Sequence, residues 1–220
     1  PEWCLTETGH ACRIVVLISG SGSNLQAIID ACREERIPGT VVGVISNEPS
    51  AYGLTRALQA NIVAVGLSHR DYDSRKTYDE ALADLIETFS PDLIVLAGFM
   101  RILTPAFVKK YEGRLINIHP SLLPDYPGLN THQRVLADRR ASHGATVHFV
   151  TEDLDGGPII IQGKTSIVPS DTEGTLAQKV HAVEHEIYPK AIAWFASGRL
   201  SLEGNQVMLD DGLLSDRGVT

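Results

Sequence analysis

Four apolar runs, residues 13–19 (RIVVLIS), 40–46 (TVVGVIS), 62–67 (IVAVGL) and 92–98 (DLIVLAG), recur through the first hundred residues with amphipathic segments between them. They are near-continuous rather than alternating in polarity. A strand with both faces buried reads this way, as in a parallel sheet sandwiched between helices. The intervening segments have helical spacing: Leu25, Ile28, Ile29 and Cys32 within residues 24–35, and Tyr78, Leu82, Leu85, Ile86 and Phe89 within residues 71–89. Gly39 and Pro91 punctuate their ends. The pattern predicts an α/β fold, an open, mostly parallel twisted sheet flanked by helices.

After Leu103 the texture changes. A short helix is predicted over residues 105–111 and a strand over 114–119. Residues 119–132 are too rich in proline and glycine for regular structure and read as a long, shaped loop. Two further strands, 145–150 and 159–168, flank a turn marked by Asp-Gly-Gly-Pro. Asp171 or Thr172 caps a long helix to about Ser197, in which Leu176, Val180, Val183, Ile187, Ala191 and Phe195 step by three and four along one stripe. The last twenty residues read as a short strand or hairpin and a frayed tail. Without internal repeats or linkers, residues 13–220 are expected to form one domain behind a loose extension at residues 1–12.

Composition narrows the partners. The 220 residues are 43% hydrophobic, ample for one sizeable core. Lys and Arg (19) against Asp and Glu (27) leave a formal charge of −8, the wrong sign for a surface that clings to phosphate backbones. Small-molecule substrates are expected rather than nucleic acid, and a local pocket for one phosphate remains compatible with the charge. Cys4, Cys12 and Cys32 cannot all pair and show no C-x-x-C spacing, which fits a reducing cytoplasm. No apolar run approaches the roughly 18 to 20 residues that span a bilayer, and residues 1–12 lack the basic start and apolar stretch of a secretory signal.

Three places can carry chemistry. Gly20, Ser21, Gly22, Ser23 and Asn24 follow the first strand and open the first helix, where small residues let backbone N–H groups approach an anion. A dinucleotide fingerprint would need a third glycine where Leu25 stands, and no Gly-Lys-Ser/Thr follows, so a monophosphate is the expected ligand. The same turn also reads simply as a flexible connection with a helix cap. Asn117 and His119, two apart on a strand, point to one side while Ile116 and Ile118 pack opposite. At the carboxyl end of that strand an amide and an imidazole can donate to one oxygen that becomes negative during acyl transfer, and a structural histidine braced by an asparagine is the competing reading. Asp155 is a turn former unless it folds back on His119, where it would favour the charged imidazole. His181 and His185 stand four apart on a helix, but the order is not H-E-x-x-H and no third ligand is evident, so no metal is expected. Glu184 between them faces either solvent or an amine-bearing ligand.

Taken together, Gly20 to Asn24, Ala97 to Leu103, Asn117 to Pro124 (NIHPSLLP) and Leu154 to Pro158 (LDGGP) closely resemble the 10-formyltetrahydrofolate-dependent formyltransferase family, and the S-G-x-G-S-N loop resembles its purine-pathway branch. The resemblance spans Arg13 to roughly Leu200. It implies a Rossmann-like formyltransferase fold with a phosphate-binding half at 13–112 and a catalytic, folate-binding half at 113–220. It implies direct attack of the glycinamide ribonucleotide amine on the formyl carbon of 10-formyltetrahydrofolate as co-substrate. Asn117 and protonated His119 would stabilise the oxyanion, and Asp155 would keep His119 charged and help relay the proton. Gly20, Ser21, Gly22, Ser23 and Asn24 would hold the phosphate, with His181, Ala182, Val183 and Glu184 against the ribonucleotide. The folate would lie against Met100, Arg101, Ile102, Leu103, Asn117, Thr151, Glu152, Asp153, Leu154 and Asp155, with Arg75 matching a family arginine for its carboxylate tail. Asn130 stands where the family commonly has histidine and cannot carry its positive charge. A monomer or weak homodimer without membrane association is expected.

Four other readings compete with this one. A tRNA-formylating relative would carry a basic RNA-facing domain, and a formyltetrahydrofolate hydrolase an N-terminal regulatory domain, for which twelve residues leave no room. A catalytically silent binding module on the same scaffold is disfavoured by the set Asn117, His119 and Asp155. A nicotinamide oxidoreductase is disfavoured by the missing third glycine.

Overall fold

A computed structural model describes residues 11–220. Cys4 and the remainder of the expected extension up to residue 10 lie outside the described residues. The chain runs β1 (Cys12–Ile18), α1 (Ser23–Arg33), β2 (Gly39–Ser46), α2 (Tyr52–Gln59), β3 (Ala64–Gly66), α3 (Arg75–Glu87), β4 (Leu93–Leu96), α4 (Pro105–Lys110), β5 (Leu115–His119) and α5 (Thr131–Ala137). It continues through β6 (Ser142–Phe149), β7 (Ile159–Ser166), α6 (Glu173–Ala196), β8 (Leu200–Glu203), β9 (Gln206–Leu209) and β10 (Gly212–Leu213). A seven-stranded sheet has the order β3-β2-β1-β4-β5-β6-β7, and a three-stranded sheet the order β10-β9-β8. The first five strands of the large sheet are mutually parallel, β6 runs antiparallel to β5, and β7 runs antiparallel to β6.

Burial on two faces explains the continuous apolar runs. Along β1, Ile14, Val16 and Ile18 join a core shared with α1 and α6, while Val15 and Leu17 join a second core with α3 and α4. Neither face has room for a polar residue. α6 is fixed at its start by a reciprocal cap in which the Thr172 hydroxyl accepts from Thr175 N, so Thr172 rather than Asp171 is the cap. Of its expected stripe, Leu176, Val180, Ile187 and Ala191 are buried and Val183 and Phe195 half-buried.

The strand order reverses between β1 and β4, so the connections that leave their carboxyl ends lead to opposite sides, the usual ligand position in such sheets. Ser19 N donates to Gly98 O at 3.1 Å, joining the residues that follow the two strands.

Three segments differ from expectation. α2 occupies a stretch whose sequence shows no extended apolar stripe, and α5 follows directly on the Pro/Gly-rich loop. The tail is pinned rather than frayed: Val219 N donates to Ile160 O, Gln162 N donates to Val219 O, and Ile161 and Val219 form a parallel bridge. Cys12 and Cys32 are free thiols, and burial pushes them up to about 12 and about 11, far from a reactive thiolate. Among the described residues no helix is long and apolar enough to cross a membrane.

Candidate active site

The loop after β1 is held by backbone and close packing. Gly22 caps α1 in the left-handed region (φ 75°) and supplies no side-chain cap, so the first N–H groups of the helix are not taken by a side chain. A Cβ on Gly22 would lie 2.8 Å from Gly53 Cα, so the two backbones meet where only glycine fits. Gly53 N donates to Gly20 O at 3.0 Å, and the Arg56 guanidinium donates from Nε to Ser21 O at 2.7 Å. The Ser19 hydroxyl bonds Asn47 Oδ1 and receives Met100 N at 2.8 Å, tying this loop to the one after β4.

Asn24, in the first turn of α1, donates from Nδ2 to Glu184 Oε2 at 3.2 Å, while its own Oδ1 is buried without a partner. Glu184 is 5% exposed, and burial pushes its carboxyl up to about 7, only partly offset by Asn24. Of the other residues expected beside it, His181 and Ala182 are exposed and Val183 packs over Gly163 of β7. His185 is held low by burial, and among the described residues no group of three His, Cys, Asp or Glu could hold a metal ion.

The second cluster gathers where β5 ends. Asn117 and His119 share a face, as their alternation requires, opposite His148 and Thr146 of β6. His119 Nε2 lies 2.9 Å from Tyr126 O, and a carbonyl only accepts, so Nε2 carries a proton. Its Nδ1 lies 3.6 Å from Asp155 Oδ2, with the two side chains 8% and 9% exposed. Each ring nitrogen of His119 thus faces an oxygen in a largely dry setting, Tyr126 O at Nε2 and Asp155 Oδ2 at Nδ1.

Asp155 reaches this position through its backbone. It sits in the left-handed region (φ 52°), and its Oδ2 accepts Gly128 N at 2.8 Å. A Cβ on Gly157 would come within 1.8 Å of Phe149 O, so the turn lies hard against β6. The loop after His119 is braced from the sheet: Thr146 Oγ1 donates to Ser121 O at 2.7 Å, and Gln162 Nε2 donates to Leu123 O at 2.7 Å.

His148 was not among the expected residues. It is buried, its Nδ1 donates to Phe149 O at 2.9 Å, and its Nε2 therefore accepts Asn117 Nδ2 at 3.2 Å. Burial lowers its pKa, which keeps it neutral. One Asn117 amide hydrogen is thereby fixed and the other is left to donate elsewhere. The clue lay in register, because His148 becomes significant only once β6 is known to pair antiparallel with β5.

The residues expected around the folate form the rim. Met100, Ile102 and Leu154 are 69%, 54% and 60% exposed. Arg101 stacks on Tyr78, its guanidinium 5.2 Å from the ring centroid, with its Nε buried and unpartnered. Leu103 and Thr151 are half-buried, and Glu152 and Asp153 exposed. Arg75 starts α3, exposed and without a hydrogen-bond or ion-pair partner among the described residues. Asn130 caps α5 in the left-handed region (φ 56°), a conformation asparagine tolerates better than most residues.

A mostly parallel sheet that reverses its order between β1 and β4, with a helix start free of side-chain caps beside it, defines a fold of the Rossmann type. The chain belongs to the formyl transferase family, whose model matches residues 12–192. It is 54% identical to phosphoribosylglycinamide formyltransferase of Escherichia coli K12 over 205 residues, covering 93% of this chain and 97% of that one. The solved phosphoribosylglycinamide formyltransferase of Coxiella burnetii superposes with a TM-score of 0.92 at 52% identity, covering 96% and 99% of the two chains. Glycinamide ribonucleotide transformylase 1 of Symbiobacterium toebii gives 0.88 at 47% identity, covering 91% and 95%.

Proposed function

We propose that this chain transfers the formyl group of 10-formyltetrahydrofolate to the amine of glycinamide ribonucleotide, a step of de novo purine synthesis. The relatives named for this activity match over nearly their full length. The single observation that supports the chemistry is the approach of His119 Nδ1 to Asp155 Oδ2 at 3.6 Å beside Asn117, with 35 residues of chain between them.

In this reading the amine lone pair attacks the formyl carbon and the carbonyl oxygen takes up charge. The free Nδ2 hydrogen of Asn117 and an N–H of the His119 imidazolium donate to that oxygen. The 3.6 Å separation at Nδ1 exceeds the roughly 2.7–2.9 Å of a tight charge-assisted bond, so Nδ1 is the less committed edge of the ring. Asp155 holds the positive charge on His119. A proton then passes from the new ammonium to the folate nitrogen through Asp155 and water, and the old carbon–nitrogen bond breaks. No bond to the protein forms.

Gly20 to Asn24 hold the phosphate, and Glu184 with the turn His181 to Val183 contacts the ribonucleotide. Met100 to Leu103 and Thr151 to Asp155 hold the pterin, and Arg75 the carboxylate tail. The same reading makes residues 13–220 one cytoplasmic domain acting on small molecules as a monomer or weak homodimer, without metal. A steady-state assay with both substrates tests it. Formyl-folate consumption that depends on the ribonucleotide supports transfer; equal consumption without the acceptor amine makes the chain a hydrolase.

A further inference from the structure

A second cavity, of about 360 Å³, is lined in part by Asp125, Tyr126, Arg140, His143, Lys164 and Arg217, and by none of the residues assigned above to catalysis or substrate binding. Its size falls in the lower range of small-molecule sites. In a chain of charge −8, three cations meet here over one carboxylate. That carboxylate, Asp125, is taken by Arg140, whose Nη2 donates to Oδ2 at 2.5 Å. The side chains of Lys164 and Arg217 have no hydrogen-bond or ion-pair partner among the described residues. The wall behind them is uncharged at neutral pH, because burial brings the His143 imidazole down to about 4.

The cations are brought together by the fold. Lys164 lies in β7 opposite Gly144 of β6. Arg217 belongs to the pinned tail, where Gly218 N donates to Ser215 O at 2.8 Å and Val219 pairs with Ile161, three residues before Lys164. Gly218 has φ 66°, and a Cβ there would lie 2.4 Å from Ile160 O, so the turn closes against β7 only with glycine. Nothing in the proposed transfer chemistry uses this turn.

We propose that the cavity binds a small, multiply charged phosphate-type anion between Lys164, Arg217 and Arg140, and that its occupancy acts on the catalytic loop. Two unpaired cations on separate elements match a ligand of at least two negative charges, and guanidinium groups favour phosphate oxygens. The route to the site is short. An anion on Arg140 competes with Asp125, whose carbonyl accepts the Ser121 hydroxyl at 2.7 Å. The next residue, Tyr126, has its ring 5.8 Å from the Arg140 guanidinium carbon, bonds Asp138 through its hydroxyl at 2.7 Å and gives its carbonyl to His119 Nε2 at 2.9 Å.

Calorimetric titration of the full chain with inorganic pyrophosphate, in the presence of saturating ribonucleotide, tests the proposal. Lys164 and Arg217 are exposed, so the double variant Lys164→Ala/Arg217→Ala is expected to fold, with unchanged thermal unfolding and unchanged turnover in the absence of pyrophosphate. The expected result is binding to the wild type and a loss of about tenfold or more in affinity in the double variant, with pyrophosphate altering kcat in the wild type alone. Binding equal in both proteins, binding that vanishes once ribonucleotide fills the Gly20–Asn24 loop, or no binding at millimolar pyrophosphate overturns the site. Binding at the site with kcat unchanged overturns the coupling to His119.

Discussion

The two halves of the candidate active site are built by different means. On the β1 side, the groups proposed to meet the ligand belong to regular elements: backbone N–H groups at the start of α1, Asn24 one residue further, and Glu184 on α6. One left-handed glycine, Gly22, sets the geometry. On the β5 side the groups hang on loops, and Tyr126, Gly128, Asn130 and Asp155 all adopt positive φ. For Tyr126 this conformation costs about 1 to 2 kcal/mol, and less for Asn130 and Asp155, whose short polar side chains tolerate it. The first half is a fixed cradle suited to an anion that does not change during reaction. The second stores strain to bring a carboxylate and an imidazole together, as sites that stabilise developing charge commonly do.

The contrast yields graded expectations. The largest effect belongs to the second half. His119→Ala and Asp155→Ala should each lower kcat by about 10³-fold, with ribonucleotide affinity by calorimetry changed less than about threefold. A variant that loses both equally would erase the distinction between cradle and reacting group. Gly22→Ala should do the reverse, raising the ribonucleotide KM by about tenfold through strain at φ 75° while kcat at saturation moves little. His148→Phe removes the acceptor that orients Asn117, so kcat should fall by about fivefold with both KM values nearly constant. Unchanged kcat in a folded His148→Phe protein would show that Asn117 needs no such support.

The smallest effects set Glu184 of the first half against the histidine pair behind the cation cavity by pH. Glu184 has its folded pKa raised to about 7, so between the ordinary carboxylate value and 7 the folded state binds more protons than the unfolded one, and its contribution to stability declines as pH rises. His143 has its folded pKa lowered to about 4, and its neighbour His132, with Nδ1 3.0 Å from His143 Nε2, is also held low. There the unfolded state binds more protons, so stability is present above the ordinary histidine value and is lost as pH falls toward 4. Urea unfolding at several pH values should show Glu184→Gln losing less stability than wild type from pH 5 to 7, and His143→Gln losing less from pH 6.5 to 4.5. Parallel curves for all three proteins would contradict the assignment.

The same contrast governs what the sequence alone makes legible. Continuous Val, Ile and Leu runs state double-sided burial, so β1, β2 and β4 and the parallel sheet were legible, as was the Gly/Ser turn before α1. Period-two alternation put Asn117 and His119 on one side. α2 and α5 escaped because each is short and takes its stability from tertiary packing rather than from a full apolar stripe. The tail looked frayed because its two-residue attachment to β7 has no local pattern. The partnership of Asn117 with His148 depends on register across two strands, and the cation cavity on a chain terminus returning to a sheet edge. Both are long-range facts that no single segment encodes.

A crystal structure with a tetrahedral adduct joining the amine and the formyl carbon tests the central claim most directly. The account predicts Asn117 Nδ2 and a ring nitrogen of His119 both within about 3.1 Å of the adduct oxygen, with Asp155 against the same imidazole and the phosphate on the Gly20–Asn24 loop. An adduct oxygen that meets neither group, or Asp155 separated from His119 by more than one bridging water, would contradict it.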